Sequence, residues 1–168
     1  MEKETITITI YGENIDNDFK WEDWYEDAKK IIESLGYDYN YVGIRTQKLN
    51  SGKVMKLSRN EKKVLNEIQS GQEIKYISMF SLPQDFESAS FDYDVMIVRN
   101  SQFMTLTVNK GDFNKIDEQK LLQLLSKYVN NVHGEIYEMD RYESPLIYAS
   151  KANPASFFKS LKVIKEIS

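Results

Sequence analysis

Thr5-Ile6-Thr7-Ile8-Thr9-Ile10 alternates a hydroxyl side chain with a branched apolar one, and this stretch decides the fold class. A period of two is what a half-buried strand requires, because successive side chains leave the backbone on opposite faces. Thr105-Leu106-Thr107-Val108 repeats the pattern late in the chain. Each stretch leads into a helix-like segment and then another strand, so the chain reads as two strand–helix–strand units. Their likeness reflects either duplication or two amphipathic strands arriving at the same alternation.

Outward from the first strand, Trp21, Trp24, Tyr25, Ala28, Ile31, Ile32 and Leu35 recur three and four residues apart. That is the stripe of an amphipathic helix, and Gly36 supplies its stop. Tyr37 to Arg45 reads as the next strand, followed by a polar connection that turns at Ser51-Gly52. Ser58 and Glu61 have capping-box spacing, which predicts a helix from Arg59 to about Gln69. Glu73 to Leu82 reads as a strand that Pro83 ends. Phe91 to Val98 and Gln102 to Val108, joined at Asn100-Ser101, are predicted as an antiparallel hairpin. The stripe through Leu121, Leu125 and Val132 predicts one helix from Ile116 to His133, closed by Gly134, with a strand from Glu135 to Tyr142. Asn153-Pro154 has the form of a helix start, with Phe157, Leu161 and Ile164 on one side. The expected architecture is a single α+β domain over residues 1–168. It holds one mostly antiparallel or mixed sheet of about six strands, with helices mainly on one face.

The length of 168 residues suits one domain with a core that needs no disulfide or metal. There is no cysteine, which removes thiol nucleophiles, thiolate metal sites and disulfide scaffolds. Met1-Glu2-Lys3-Glu4 runs straight towards the first strand without the basic and apolar regions of a secretory signal. No apolar run approaches the ~18–20 residues that span a bilayer. A cytoplasmic location and no membrane partner are therefore expected. Eighteen lysines against four arginines point to an AT-rich, bacterial coding bias. The net charge of −4 makes nucleic acid a poor partner, since phosphate contacts demand a basic surface.

The search for chemistry returns little. His133 is the only histidine, and a position at a helix end beside Gly134 favours a capping role over a general base. Asp16/Asp18 and Asp92/Asp94 are spaced two apart, and on a strand Asp92 and Asp94 would share a face and could hold Mg²⁺. The competing reading is that both face solvent. Glu73-Ile74-Lys75 matches an acidic-x-lysine nuclease triplet, a pattern common by chance in so charged a chain. The seven glycines form no phosphate-binding loop. No catalytic residue, metal ligand or cofactor is assigned.

Charge patterning carries more. Residues 11–43 hold nine acids against three lysines, whereas residues 45–63 hold seven bases against Glu61. Glu22, Asp23, Glu26 and Asp27 crowd the start of a helix, where the dipole favours anions, and Trp24 and Tyr25 lie beside them. Acids flanked by aromatics suit a basic protein partner. The alternative is that both tryptophans belong to the core. Tyr37, Tyr39 and Tyr41 alternate along one strand. With the threonines they would form an open sheet face if helices cover only the other side. The tyrosines pack under a helix in the competing reading.

In type, though through no motif, the chain resembles bacterial toxin-neutralising proteins: small, acidic, cysteine-free and rich in aromatics. The resemblance implies a protein partner, a toxin enzyme, and transfers no site residues. The partner-binding residues expected from charge are Glu22, Asp23, Trp24, Glu26 and Asp27, with Asp92 and Asp94 in reserve. A metal-dependent phosphoesterase using a carboxylate pair, and a small-ligand domain using the tyrosine face, are the competing expectations.

Overall fold

The computed structural model describes residues 2–15 and 20–168. Its centre is the alternating stretch: β1 (Glu4–Asn14) lies between two long partners and bonds to both. On one side is β6 (Phe103–Asn109), in the register Thr7↔Thr107 and Ile8↔Leu106. On the other is β7 (Val129–Asp140), with Ile8 opposite Ile136. The two sequence echoes are therefore direct neighbours, isoleucines facing one way and threonines the other.

The remaining strands are β2 (Tyr41–Thr46), β3 (Met55–Lys56), β4 (Ile74–Ser81), β5 (Val95–Asn100) and β8 (Lys162–Ile167). The eight strands form one sheet in the order β3-β2-β4-β5-β6-β1-β7-β8, with every neighbouring pair antiparallel. The sheet is larger than the six strands expected. The helices are α1 (Trp21–Ser34), α2 (Leu57–Gln69), α3 (Glu118–Leu125) and the short α4 (Pro145–Ala149). Both strand–helix–strand units exist, but they are not equivalent in the sheet. The first spans from β1 to β2 across three intervening strands; the second spans from β6 to β7 across β1 alone.

The first face of the sheet presents Ile6, Ile8, Ile10, Ile77 and Leu106 to Trp24, Tyr25, Ile32, Val64 and Leu125 on the helices. The second face would stand open if helices covered only the first. It is covered instead, and Thr5, Thr7, Thr9, Thr105 and Thr107 are all buried. The chain from Tyr142 to Phe158 folds back across it. There the hydroxyl of Tyr137 donates to the Pro145 carbonyl at 2.8 Å and that of Tyr11 donates to the Ala149 carbonyl. Buried hydroxyls are mostly paired, and four of these five threonines find partners across strands while the Thr105 hydroxyl finds none. Thr7 and Thr107 pair with each other at 2.9 Å, Thr9 pairs with the Tyr137 hydroxyl at 3.0 Å, and Thr5 donates to the Met139 carbonyl at 3.0 Å.

Two predicted helices end as strands. The helix from Ile116 stops at Leu125, and the residues from Val129 onward join β7. Asn130, Asn131 and the β-branched Val129 and Val132 are poor helix formers, and β1 offers them a ladder. A bulge opposite Gly12 accommodates the excess residue. Gly134, read as a helix stop, lies mid-strand beside the Thr9 backbone. Asn153-Pro154 opens a single 3-10 turn, Ala155–Phe157, after which Lys162–Ile167 pairs with β7 as an edge strand.

Candidate functional site

The acidic and basic segments lie side by side. α1 and α2 pack against each other on the first face, joined where Gln69 donates to Glu22 at 3.1 Å and Lys29 meets Glu61 at 3.6 Å. Glu22, Asp23 and Glu26 are exposed on α1. Asp27 is not free in the same way: Lys127 sits 3.2 Å from its carboxylate and the Tyr128 hydroxyl donates to it. Along α2, Arg59, Lys62, Lys63 and Asn66 fall three and four residues apart, so they share one face. With Lys48 they line a depression of about 580 Å³ that Leu49 and Glu67 also border, and none of the four bases has an ion-pair partner among the described residues. Like charges gathered this way favour an incoming counter-charge.

Trp24 does not reach this surface. Its side chain is fully buried, as is that of Tyr25, because the apolar stripe of α1 turns inward as a unit. The tryptophans do grip a cation, but an internal one. Arg99 lies on the inward face of β5, 1% exposed, with its guanidinium carbon 4.5 Å from the Trp21 ring centre and 5.3 Å from that of Tyr128. Its Nη2 donates to Asn14 at 3.3 Å. Burial lowers its pKa to about 10. Period-two spacing from Val95 and Ile97 was a readable signal that Arg99 faces the core.

Asp92 and Asp94 do not share a strand face, because β5 begins only at Val95. Asp92 caps a loop, accepting from the backbone N–H groups of Glu87 at 3.0 Å and Ser88 at 2.8 Å. Asp94 accepts from the Asn109 amide at 3.0 Å, and the Asn109 oxygen in turn accepts from Arg141. Arg141 is 1% exposed and clamps three segments: it donates to the carbonyls of Glu2 at 2.7 Å, of Phe91 at 2.8 Å and Tyr93 at 2.9 Å, and to the Asn109 side chain. This centre, absent from the sequence reading, is architectural. Both aspartates are committed to it or to the loop beside it.

Glu73 and Lys75 sit at the start of β4, whereas Asp94 bonds to Ser81 at its end. At ~3.3 Å per residue the two sets lie roughly 20 Å apart. Among the described residues no group of three acids or histidines is arranged to hold a metal ion. Asp16 and Asp18 lie outside the described residues. His133 stands exposed on β7, stacked 5.6 Å from Tyr11, with Nδ1 3.0 Å from the Asn131 carbonyl, and caps no helix. The tyrosine row dissolves as well. Tyr37 donates to Asp112 at 2.5 Å, Tyr39 packs edge-on to Tyr25 in the core, and Tyr41 meets Phe86 on the second face.

That second face carries one further concavity. Between α4 and the connection from β2 to β3 lies a groove of about 650 Å³. Phe80, Met96, Val98 and Phe103 supply its floor, and Leu146 and Ile147 one wall. Among the described residues no helix is long and apolar enough to cross a membrane. Comparison with protein-family models, curated proteins and solved structures finds no match to this chain.

Proposed function

We propose that this chain is a non-catalytic protein-binding module that neutralises a toxin enzyme. In this reading it docks through the helical face formed by α1 and α2. The observation that carries it is the presence of exposed charges of opposite sign on two helices that pack together, Glu22, Asp23 and Glu26 on α1 and Arg59, Lys62 and Lys63 on α2. A bipolar patch recognises a partner with the reverse pattern and fixes its orientation, which a patch of one sign does not. Charge steering speeds encounter, and the helices then cover the partner's substrate cleft. Asp27, Asp92, Asp94 and Trp24 fall outside the docking set because the fold already uses them.

Co-expression with a toxin enzyme encoded beside the chain tests this reading. The wild-type chain is expected to restore growth, and the triple variant E22K/D23K/E26K, still folded at the growth temperature by circular dichroism, to lose that protection. Full protection by the charge-reversed variant, or hydrolysis of a generic phosphodiester by the purified chain, contradicts the proposal.

A further inference from the structure

α2 carries its charge in places where a helix gains nothing from it. Arg59 stands three residues before Lys62 and four before Lys63, so the three exposed side chains start about 5–6 Å apart on one face. Like charges at this spacing destabilise a helix. Neither acid of α2 lies within ion-pair distance of them: Glu61 meets Lys29 of α1, and Glu67 is buried, accepting from the Thr46 hydroxyl at 3.1 Å. The start of the helix is charged against its dipole as well. Acids are favoured there, but the first turn holds none, and Lys56 at the cap position makes no side-chain hydrogen bond. Both departures have the same sign, and a bound anion offsets both.

The shape beside these bases suits a ligand of limited size. With Lys48, from the connection between β2 and β3, they border the depression of about 580 Å³, inside the roughly 300–1,000 Å³ typical of small-molecule sites. Its lining holds four bases against the single acid Glu67, an excess of three positive charges. No aromatic ring lines it, so nothing there stacks a nucleobase. A guanidinium fork and several ammonium groups around one concavity match the multiply charged phosphate group, whose oxygens accept from all of them. All four bases are exposed, so an anion that enters meets them without any rearrangement of the core.

We infer that this depression binds a small anion carrying several phosphate groups, held by Lys48, Arg59, Lys62 and Lys63. The site does not rest on the docking reading, although α2 contributes bases to both. α2 meets α1 through Glu61 and Gln69, which at 3.6 residues per turn point away from Lys63.

Calorimetric titration of the full chain with tripolyphosphate tests the inference, with tricarballylate, which carries three carboxylates, and a short single-stranded oligonucleotide as competing anions. Tripolyphosphate is expected to bind at one site per chain, about tenfold or more tighter than tricarballylate and no weaker than the oligonucleotide. R59Q/K63Q is expected to weaken it about tenfold or more, since each substitution removes a charge-assisted hydrogen bond. Lys48→Gln, in a connection outside any helix or strand, is expected to weaken it too. K30Q/K120Q removes the same charge from exposed lysines elsewhere and is expected to leave the affinity unchanged. Circular dichroism checks that each variant is folded. No binding by the wild-type chain, a loss in R59Q/K63Q no larger than that in K30Q/K120Q, tricarballylate as tight as tripolyphosphate, or the oligonucleotide as the tightest ligand would each overturn the inference. None of these measurements involves a protein partner or the acids of α1, so their outcome is separate from that of the E22K/D23K/E26K test.

Discussion

At the scale of single residues, the molecule is organised by two buried arginines, of which only Arg99 had a readable signal in the sequence. Arg141 serves three backbone carbonyls from two segments and the Asn109 side chain of a third, and no carboxylate directly, so its removal strands several acceptors at once. Each orphan costs ~1–3 kcal/mol. Arg141→Met is therefore expected to destabilise by about 3 kcal/mol or more, lowering the melting temperature by roughly 6–12 °C in calorimetry. Arg141→Lys should recover less than half of that, because an ammonium cannot span a planar fork. Gly134→Ala is a second case. Its Cβ would lie 1.9 Å from the Thr9 carbonyl oxygen, a backbone atom that cannot turn aside. A loss of about 1–3 kcal/mol is expected, read from the urea midpoint. The glycine was legible as special but its reason was not: in one dimension a helix stop and a close backbone approach look alike. The aromatics beside the acids of α1 misled for a similar reason. Trp24 obeys the helical stripe and is core, and the cation it faces, Arg99, comes from a strand 75 positions on in the chain.

At the scale of elements, α2 was readable from its spacing although Ser58 lies inside it and caps nothing, and β1, α1, β4 and the β5–β6 hairpin were readable because local alternation, helical spacing and turn chemistry agree there. They failed to agree from Val129 onward. Leu121, Leu125, Val129 and Val132 continue a helical stripe, and only the ladder offered by β1 turns the last part into strand. A non-local partner leaves no mark in the segment itself. The same holds for β8, whose side chains are almost all exposed and whose strand character comes from pairing with β7 alone. Its outer edge is unpaired, and the Lys165–Glu118 ion pair at 2.6 Å is its tie to α3. Hydrogen exchange should therefore rank the strands, with β8 amides exchanging earliest and those of β1 and β6 last. Protection of β8 equal to that of β1 would mean that a partner strand occupies its outer edge.

At the scale of the whole molecule, the sequence revealed two charged blocks, and the fold packs the helices that carry them, α1 and α2, against each other. The abundance of tyrosine has a consequence at this scale too. Burial raises the hydroxyls of Tyr11, Tyr25, Tyr37, Tyr39, Tyr93, Tyr128, Tyr137 and Tyr148 above their usual value near 10, that of Tyr37 to about 12. In the unfolded chain they ionise near pH 10, so above it the folded state holds more protons and loses stability as pH rises. Arg99 acts with the opposite sign, because its folded pKa is lowered to about 10, but it is one group against eight. The melting temperature is thus expected to hold up to about pH 10 and to fall between about pH 10 and 12. A flat profile over that range would mean that the rings are hydrated. The docking proposal depends on the bipolar face of α1 and α2, and the rate of association with the toxin enzyme as a function of salt tests it most directly. For the wild-type chain that rate is expected to fall at least tenfold between about 0.02 and 0.2 M salt. E22K/D23K/E26K should associate more slowly and with a flatter salt dependence. Equal rates for both chains, insensitive to salt, would contradict it.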